Sequence, residues 1–226
     1  MKAEFIHSLY IAIIYLGMFG IGEILFHFFH VRVEISRKFS HLSAGIIAFL
    51  FPLLITHHML VLILAVGFTG LLIITKKTNL LKSIHSVKRV TFGSYLYPWS
   101  IYVCFLLYSY YDNLLFYFLP LLVLTISDTM ANIGGKVWAY GKLSKRTESK
   151  TLSGSALFFI ATMIISLILF ALFTQLSFKT IFLLSTIISL LTAIIEAISY
   201  KGMDNITIPL TVISLLILFK EIFLII

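Results

Sequence analysis

The stretch from Thr125 to Ser155 reads TISDTMANIGGKVWAYGKLSKRTESKTLSGS. It begins at the end of an apolar run, where Asp128 is an isolated carboxylate at the edge of the hydrocarbon. It continues through small residues into a basic, glycine-containing loop, and from Lys150 onward it leads into another apolar run. Ionisable groups at membrane depth are costly and usually face a cavity, a partner or a ligand. We therefore expect this stretch to belong to a polar site.

The composition indicates an integral membrane protein with little mass outside the bilayer. Of the 226 residues, 60% are hydrophobic and only 12% are charged, whereas a soluble domain is about half apolar and a quarter charged. The long, nearly uncharged runs predict helices, because the strands of a membrane barrel would alternate apolar and polar residues. Lysines and arginines in cytoplasmic loops explain the net charge of +8, so we expect no nucleic-acid partner.

Eight apolar runs follow one another along the chain, and each is close to the roughly 20 residues that a spanning helix needs. We therefore predict an all-α polytopic membrane protein with about eight transmembrane helices in a single bundle, forming one domain over residues 1–226. The predicted spans cover about 5–29, 39–56, 58–75, 92–111, 113–134, 153–174, 178–200 and 206–224.

The distribution of basic residues predicts the orientation of the bundle. Fourteen of the 17 lysines and arginines fall in four alternate connections between the predicted spans. Cytoplasmic loops carry such an excess of positive charge, so we expect both termini on the non-cytoplasmic side. The four basic connections are 30–38, 76–91, 135–152 and 201–205.

A polar face is predicted where the second span begins. Glu34, Arg37, Lys38 and His41 follow the i, i+3, i+4, i+7 spacing of one helix face. The three basic side chains of this face could bind an anionic phosphate, with the glutamate orienting the arginine. The alternative is an interfacial anchor with an internal ion pair. His41 favours the phosphate site, because it falls inside the predicted span, where no anchor is needed.

The opening stretch offers further phosphate ligands. If it is helical, Asn132 and Lys136 share a face with Asp128. The second half of the stretch supplies a cation, hydroxyls and backbone N–H groups at the start of a helix, which is a natural anion site. The alternative is that Ser153 only caps this helix and that Asp128 pairs with a lysine. The predicted phosphate cradle spans Lys150–Ser155, with Lys150, Thr151, Ser153, Gly154 and Ser155 as its phosphate-suited residues.

Two more carboxylates are expected on the same membrane face. Glu196 lies inside the seventh predicted span, and Asp204 follows in the next basic connection. Asp204 or its neighbour Asn205 could merely cap the last helix, which leaves Glu196 unexplained. Magnesium is held by one or two carboxylates together with substrate phosphates. We therefore expect Asp128, Glu196 and Asp204 to bind Mg²⁺ and a nucleoside triphosphate.

These motifs, in this order, resemble the polyprenol kinase family of dolichol kinases and phytol kinases. The resemblance covers residues from about 34 to 210, and it extends more distantly to the CTP-using phosphatidate cytidylyltransferases. The segments that carry it are E-x-x-R-K-x-x-H at 34–41, K-R-x-T-x-G-x-x-x-Y-P at 88–98, SDTMANIGGK at 127–136, KTLSGS at 150–155 and EAISYKGMDNITIPL at 196–210.

The resemblance implies a membrane kinase that transfers the γ-phosphate of CTP to the hydroxyl of an isoprenoid alcohol, with Mg²⁺ as cofactor. It also implies catalytic roles for Asp128, Lys150 and Asp204. Nucleotide-binding or metal-binding roles are carried over, on the same basis, to Thr151, Gly154, Asn205, Arg37, Lys38 and His41.

Two other functions stay open at this point. The first is a CTP-dependent cytidylyltransferase that acts on a phosphorylated lipid. The second is a transporter with an acidic polar path, although its acids should be spread across the membrane instead of gathering on one face. The expected partners are a lipid alcohol in the bilayer and a nucleotide from the cytoplasm, with a homodimer left open. The expected location is the plasma membrane of a prokaryote or an endomembrane of a eukaryote.

Overall fold

A computed structural model describes residues 2–87, 90–143 and 150–223. These residues form helices joined by short connections and contain no β-sheet. The predicted loop residues Lys88, Arg89, Lys145 and Arg146 lie outside the described ranges. The elements are α1 (Lys2–His27), α2 (Val33–Ala48), α3 (Phe51–Leu54), α4 (His58–Lys77), α5 (Lys82–His85), α6 (Gly93–Tyr111), α7 (Leu115–Leu122), a π-helical segment (Val123–Ser127), α8 (Asp128–Val137), α9 (Leu152–Phe173), α10 (Phe178–Ile198) and α11 (Asp204–Phe223).

Six helical stretches among the described residues are long and apolar enough to cross a membrane. The all-α architecture of an integral membrane protein is therefore confirmed. The other two predicted spans correspond to α2 and α6, which do not meet the same standard of length and composition. Helix α2 has only 16 residues, and the 19 residues of α6 include six tyrosines. The six stretches are Lys2–His27, His58–Lys77, Leu115–Val137, Leu152–Phe173, Phe178–Ile198 and Asp204–Ile222.

Helix α2 begins six residues before the predicted second span. Its start at Val33 makes the whole segment from Glu34 to His41 helical, as the shared polar face requires. The helix ends at Ala48, and the short α3 follows with Pro52 in its first turn. Proline is tolerated there because the first turn of a helix has no partner for its N–H group. The predicted span over 39–56 is thus two helical pieces.

A π-helical segment interrupts the span that carries Asp128. Helix α7 runs into the wider turn Val123–Ser127, and the N–H group of Asp128 donates to the carbonyl of Val123. Helix α8 continues from Asp128 to Val137 without a break. Single π turns inside α-helices are frequent at functional sites. The segment therefore lies directly before the carboxylate that the sequence singles out.

The helices pack around two apolar clusters that meet in the middle of the molecule. One cluster joins α7, α9, α10 and α11 through side chains such as Phe158, Phe170 and Leu184. The other cluster contains side chains of α1, α2, α3, α4, α6 and α7, and Tyr15 and Phe105 are two of them. Partly buried side chains that contact both clusters are Leu107, Phe118 and Ile217.

Contacts at one end of the bundle join the connections that the charge pattern assigns to the non-cytoplasmic side. Thr56 donates a hydrogen bond to Glu4 near the start of α1. The ammonium of Lys220, in the last turn of α11, lies 4.8 Å from the ring centroid of Tyr111 at the end of α6. The four basic connections meet at the other end, where they enclose a cavity.

Candidate functional site

A cavity of about 480 Å³ lies between α1, α2, α4, α6 and α8. Its lining is polar and charged where the helices meet the basic connections, and apolar along α1 and α4. The cavity therefore has two ends of opposite chemistry. All four basic connections contribute lining residues, including Glu34 and Arg37, Val90 and Thr91, Lys150, and Lys201 and Gly202.

Lys150 is bound to two carboxylates at the polar end. Its ammonium donates to Glu196, and to Asp204 Oδ2 at 3.0 Å. The three side chains are only 13%, 3% and 16% exposed, in that order. The hydroxyl of Ser155, at the start of α9, donates to the second oxygen of Glu196 at 3.1 Å. Burial lowers the pKa of Lys150, but the charges of Asp204, Asp128 and Glu196 outweigh it, so the pKa is raised and the ammonium stays charged.

Asp128 lines the same cavity from the start of α8. Its Oδ1 atom is buried and has no hydrogen-bond partner among the described residues. Its charge interacts with those of Lys150, Asp204 and Glu196. A buried carboxylate oxygen without a partner carries a desolvation cost of about 1–3 kcal/mol or more. The Oδ1 atom is therefore available to a group that enters the cavity.

The structure brings the three carboxylates of the predicted metal site close together, but the ammonium of Lys150 is bound to two of them, Glu196 and Asp204. No group of three or more His, Cys, Asp or Glu side chains in the described parts of the chain could hold a metal ion. Glu196 is already engaged by Lys150 and Ser155. Asp204 is engaged as well, since Oδ2 accepts from Lys150 and Oδ1 accepts the N–H of Asn205 at 3.1 Å, but unlike Glu196 it lines the cavity. A carboxylate oxygen can accept more than one bond. Asp128, with its open oxygen, and Asp204 therefore fit the smaller requirement of Mg²⁺, which takes one or two carboxylates and completes its shell with phosphates and water.

Helix α2 presents its basic face to the cavity, as the spacing predicts. Arg37, Lys38 and His41 all line it. The Nε2–H of His41 donates to the carbonyl of Leu124 in the π segment at 3.2 Å. The imidazole also lies 4.5 Å from the ring of Tyr97, measured between centroids. His41 therefore helps to hold α2 against the π segment, in addition to any contact with a ligand.

Helix α8 contributes the predicted residues Asn132 and Lys136 to the cavity lining. The ammonium of Lys136 donates to the carboxylate of Glu34 on α2, so that an ion pair crosses the cavity mouth. The side chains of this pair are 49% and 53% exposed. This ion pair remains in contact with solvent, unlike the one around Lys150.

Of the residues in the predicted phosphate cradle, Lys150 is the one that lines the cavity. Thr151, Ser153 and Gly154 do not line the cavity. Thr151 is the N-cap of α9, and its Oγ1 accepts the N–H of Gly154 at 3.1 Å. The hydroxyl of Ser153 donates to the carbonyl of Trp138 at 2.7 Å. The cap of this turn is therefore Thr151, whereas the capping alternative names Ser153.

Gly154 has a different role, which is to let α8 and α9 approach closely. A Cβ atom at this position would lie 2.8 Å from the carbonyl oxygen of Ala131 and 3.4 Å from the Cα of Gly135. Such distances would force the two helices apart. The contact keeps Ser155, on the next position of α9, beside Glu196.

The turn before α11 closes the polar end. Asn205 lines the cavity. Its side-chain NH₂ group donates to the carbonyl of Gly202 at 3.2 Å. Its Oδ1 atom is buried and has no hydrogen-bond partner among the described residues. The N–H of Phe92 donates to the carbonyl of Lys201 at 2.8 Å. Gly202 has φ +80°, and a Cβ there would lie 2.5 Å from the nitrogen of Gly93. The turn and the start of α6 thus pack backbone against backbone.

Several polar residues that line the cavity are not among those singled out from the sequence, and Thr91, Tyr97 and Lys201 are three of them. The hydroxyl of Tyr97 donates to the carbonyl of His41 at 3.1 Å and lies 3.2 Å from the hydroxyl of Thr125. The signal for Thr91 and Tyr97 is present in the K-R-x-T-x-G-x-x-x-Y-P segment. Lys201 was counted only as a topology signal, because one basic residue in a loop has no distinctive spacing.

No protein family model, no curated protein and no solved structure matches this chain. The assignment of function therefore rests on the geometry of the cavity and on the chemistry of its lining.

Proposed function

We propose that the protein is a membrane kinase that transfers the γ-phosphate of a nucleotide, with CTP as the preferred donor, to the hydroxyl of an isoprenoid alcohol. One observation carries the proposal. A single cavity joins buried carboxylates and lysines to an apolar channel along α1 and α4, two helices that are long and apolar enough to span a membrane. An isoprenoid alcohol has the same division into one polar end and a long apolar chain.

The proposal includes an orientation with eight crossings. In it, α2 with α3 forms one crossing and α6 forms another, in addition to the six stretches that are long and apolar. The basic connections, and with them the polar end of the cavity, then face the cytoplasm. Both termini lie on the opposite side. A water-soluble nucleotide would reach the cavity from the cytoplasm, while the alcohol would stay in the bilayer.

The basic side chains at the polar end would bind the triphosphate. Arg37, Lys38, Lys136 and Lys201 line this part of the cavity. Clustered cations attract a polyanion, and hydrogen bonds between charged groups are about twice as strong as those between neutral groups. Lys136 would exchange its exposed partner Glu34 for a phosphate oxygen at little cost, because exposed ion pairs contribute only about 0–1 kcal/mol.

Asp128 and Asp204 would hold the Mg²⁺ ion that accompanies the nucleotide. When bound, such an ion neutralises charge that develops on the phosphate oxygens. Lys150 orients Asp204 and keeps Glu196 neutralised through its two ion pairs. Phosphoryl transfer depends mainly on positioning and on charge stabilisation, which these residues supply.

The test uses the purified protein with labelled CTP or ATP, Mg²⁺ and a panel of isoprenoid alcohols, with diacylglycerol as a further acceptor. The expected products are a lipid monophosphate and the nucleoside diphosphate. Asp128→Asn should abolish the transfer, because the amide oxygen is neutral and a poor ligand for Mg²⁺. Asp112→Asn is the matched control, since Asp112 is exposed and caps α6 far from the cavity.

Two results would contradict the proposal. Full activity of the Asp128→Asn variant would remove Asp128 from the site. A CDP-lipid and pyrophosphate as products would identify the cytidylyltransferase alternative instead.

A further inference from the structure

The apolar part of the cavity is long in one direction. Helix α4 lines it with residues at helical spacing, from Leu72 near the basic connection to Val61 further in. At 1.5 Å per residue these two positions are about 16 Å apart. Helix α2 lines the cavity from Arg37 to Ala44, which are about 10 Å apart along the helix, and Phe51 of α3 lines it beyond the end of α2. The cavity is therefore a channel along the bundle, with its charged groups at one end.

Apolar side chains line the channel between its two ends, among them Phe19 of α1 and Leu64 and Phe68 of α4. Such a lining suits a hydrocarbon chain, because the chain carries no polar group that would need a hydrogen-bond partner.

Aromatic side chains close the inner end. Tyr15 and Phe51 line the cavity, and their ring centroids are 6.3 Å apart in an edge-to-face contact. The hydroxyl of Tyr15 donates to the carbonyl of Ala44 at 2.8 Å, which fixes the ring. Behind them lie Ile11 and Ile55, which are fully buried in the same cluster and do not line the cavity.

We propose that Tyr15 and Phe51 form a floor that sets the length of isoprenoid chain the protein accepts. With a hydroxyl at Asp128, the apolar part of the channel holds a chain of about three to four isoprene units, since α4 lines it over about 16 Å. A shorter chain leaves part of the channel empty, and a longer chain cannot extend past the floor. This inference rests on the proposed function, because it assumes that the alcohol reacts at the polar end.

Two substitutions change the length of the channel that is open to the alcohol, one at the floor and one on the α4 wall. Phe51→Leu removes part of the ring and deepens the channel, so the preferred alcohol should become longer. Ala65→Leu, on the α4 wall, fills the channel, so the preferred alcohol should become shorter. Phe49→Leu is the matched control, because Phe49 packs on Phe118 with centroids 6.1 Å apart and does not line the cavity.

The measurement is kcat/KM for alcohols of increasing length, from geraniol through farnesol and geranylgeraniol to a long polyprenol. One methylene group in a fitted apolar pocket changes kcat/KM by about 10-fold or more. We expect the ratio of the geranylgeraniol value to the farnesol value to rise about 10-fold in Phe51→Leu and to fall about 10-fold in Ala65→Leu. Loss of stability alone would lower all values together, which the unfolding temperature of each variant checks.

Binding of the same alcohols, measured by competition with a fluorescent isoprenoid alcohol, separates the two proposals. If the wild type phosphorylates alcohols but neither variant shifts its length profile, the floor is wrong and the kinase assignment stands. If binding follows the expected lengths and shifts but no phosphate is transferred, the floor stands and the kinase assignment is wrong. If the wild type binds all lengths equally, the floor is also wrong.

Discussion

Two ion pairs at the cavity differ in their contact with water. Lys150 is enclosed with Glu196 and Asp204, and a hydroxyl from Ser155 completes the hydrogen bonding of Glu196. Lys136 and Glu34, at the mouth, are each about half exposed. The inner charges have little contact with water, so the stability of each charged group depends on its ion-pair partners. The outer charges keep their water and lose little when they separate.

The difference gives the two lysines different roles. The inner group is a fixed part of the site, because removing any member leaves an uncompensated charge in a poorly hydrated place. The outer pair can open when a phosphate competes for Lys136. The variants below are ordered by expected effect and test this division.

The largest effect is expected from Lys150→Met. The change keeps an unbranched side chain that is one atom shorter, but it leaves the carboxylates of Glu196 and Asp204 without their cation. Breaking a buried ion pair from one side costs about 3–5 kcal/mol. We expect a fall of this size in the free energy of unfolding, measured in detergent, and loss of phosphate transfer. Lys142→Met, at an exposed lysine of the same loop, is the control and should have little effect.

A smaller loss of stability is expected from Gly154→Ala. The new methyl group would meet the carbonyl oxygen of Ala131 at 2.8 Å, and backbone cannot move aside as a flexible side chain can. Overpacking of this kind costs about 1–3 kcal/mol. Gly17→Ala on α1 is the matched control, since no atom lies within 4 Å of its added methyl group. Equal stability of the two variants would show that α8 and α9 do not depend on this close approach.

The next effect concerns the hydroxyl that completes the inner group. Ser155→Ala removes the hydrogen bond to Glu196, and a bond to a charged group contributes about 1.5–3 kcal/mol. Because Ser155 is partly buried and water can replace part of this bond, we expect a loss of about 1–2 kcal/mol. Ser153→Ala should cost less, because the hydroxyl of Ser153 bonds to neutral groups, the carbonyl of Trp138 and the hydroxyl of Thr151, and not to a charged one. Thermal unfolding of both variants tests the order.

The smallest change in stability is expected at the cavity mouth. Lys136→Ala and Glu34→Gln should each alter the free energy of unfolding by less than about 1 kcal/mol. Their effects on nucleotide KM should be opposite. Loss of Lys136 removes a phosphate ligand and raises KM, whereas neutralising Glu34 removes its competitor and lowers KM. Similar shifts in one direction would mean that this pair serves only to join α2 to α8.

The sequence predicts most of the helices because their apolar runs are long and their connections are basic or short. The sequence predicts α2 and α6 less well, because their length or composition is close to the limit for a membrane-spanning helix. The start of α2 was placed in a loop because Arg37 and Lys38 read as cytoplasmic charges, although their spacing with His41 is helical. The tyrosines of α6 lower its hydropathy, so that a stretch predicted as a span does not qualify by composition alone.

The members of the site could be predicted more easily than their contacts. Asp128, Glu196 and Asp204 attract notice because acids are rare in apolar runs. The position of Lys150 among these acids is not encoded by any local pattern. It depends on contacts with Glu196 and Asp204, which lie 46 and 54 residues further along the chain. At the turn of Thr151 the sequence does not separate helix capping from phosphate binding, because both use the same hydroxyl and N–H groups.

The π segment determines which way the side chains of α8 face around the helix axis, because α8 follows it in the same span. Its turn holds one residue more than a turn of α-helix, and one residue corresponds to about 100° of rotation about the helix axis. Deleting a single residue between Val123 and Ser127 would leave the span almost as long and as apolar as before. It would nevertheless swing Asp128, Asn132 and Lys136 away from the cavity together. A single codon therefore separates a helix that presents its carboxylate to the cavity from one that presents it to a neighbouring helix or to lipid.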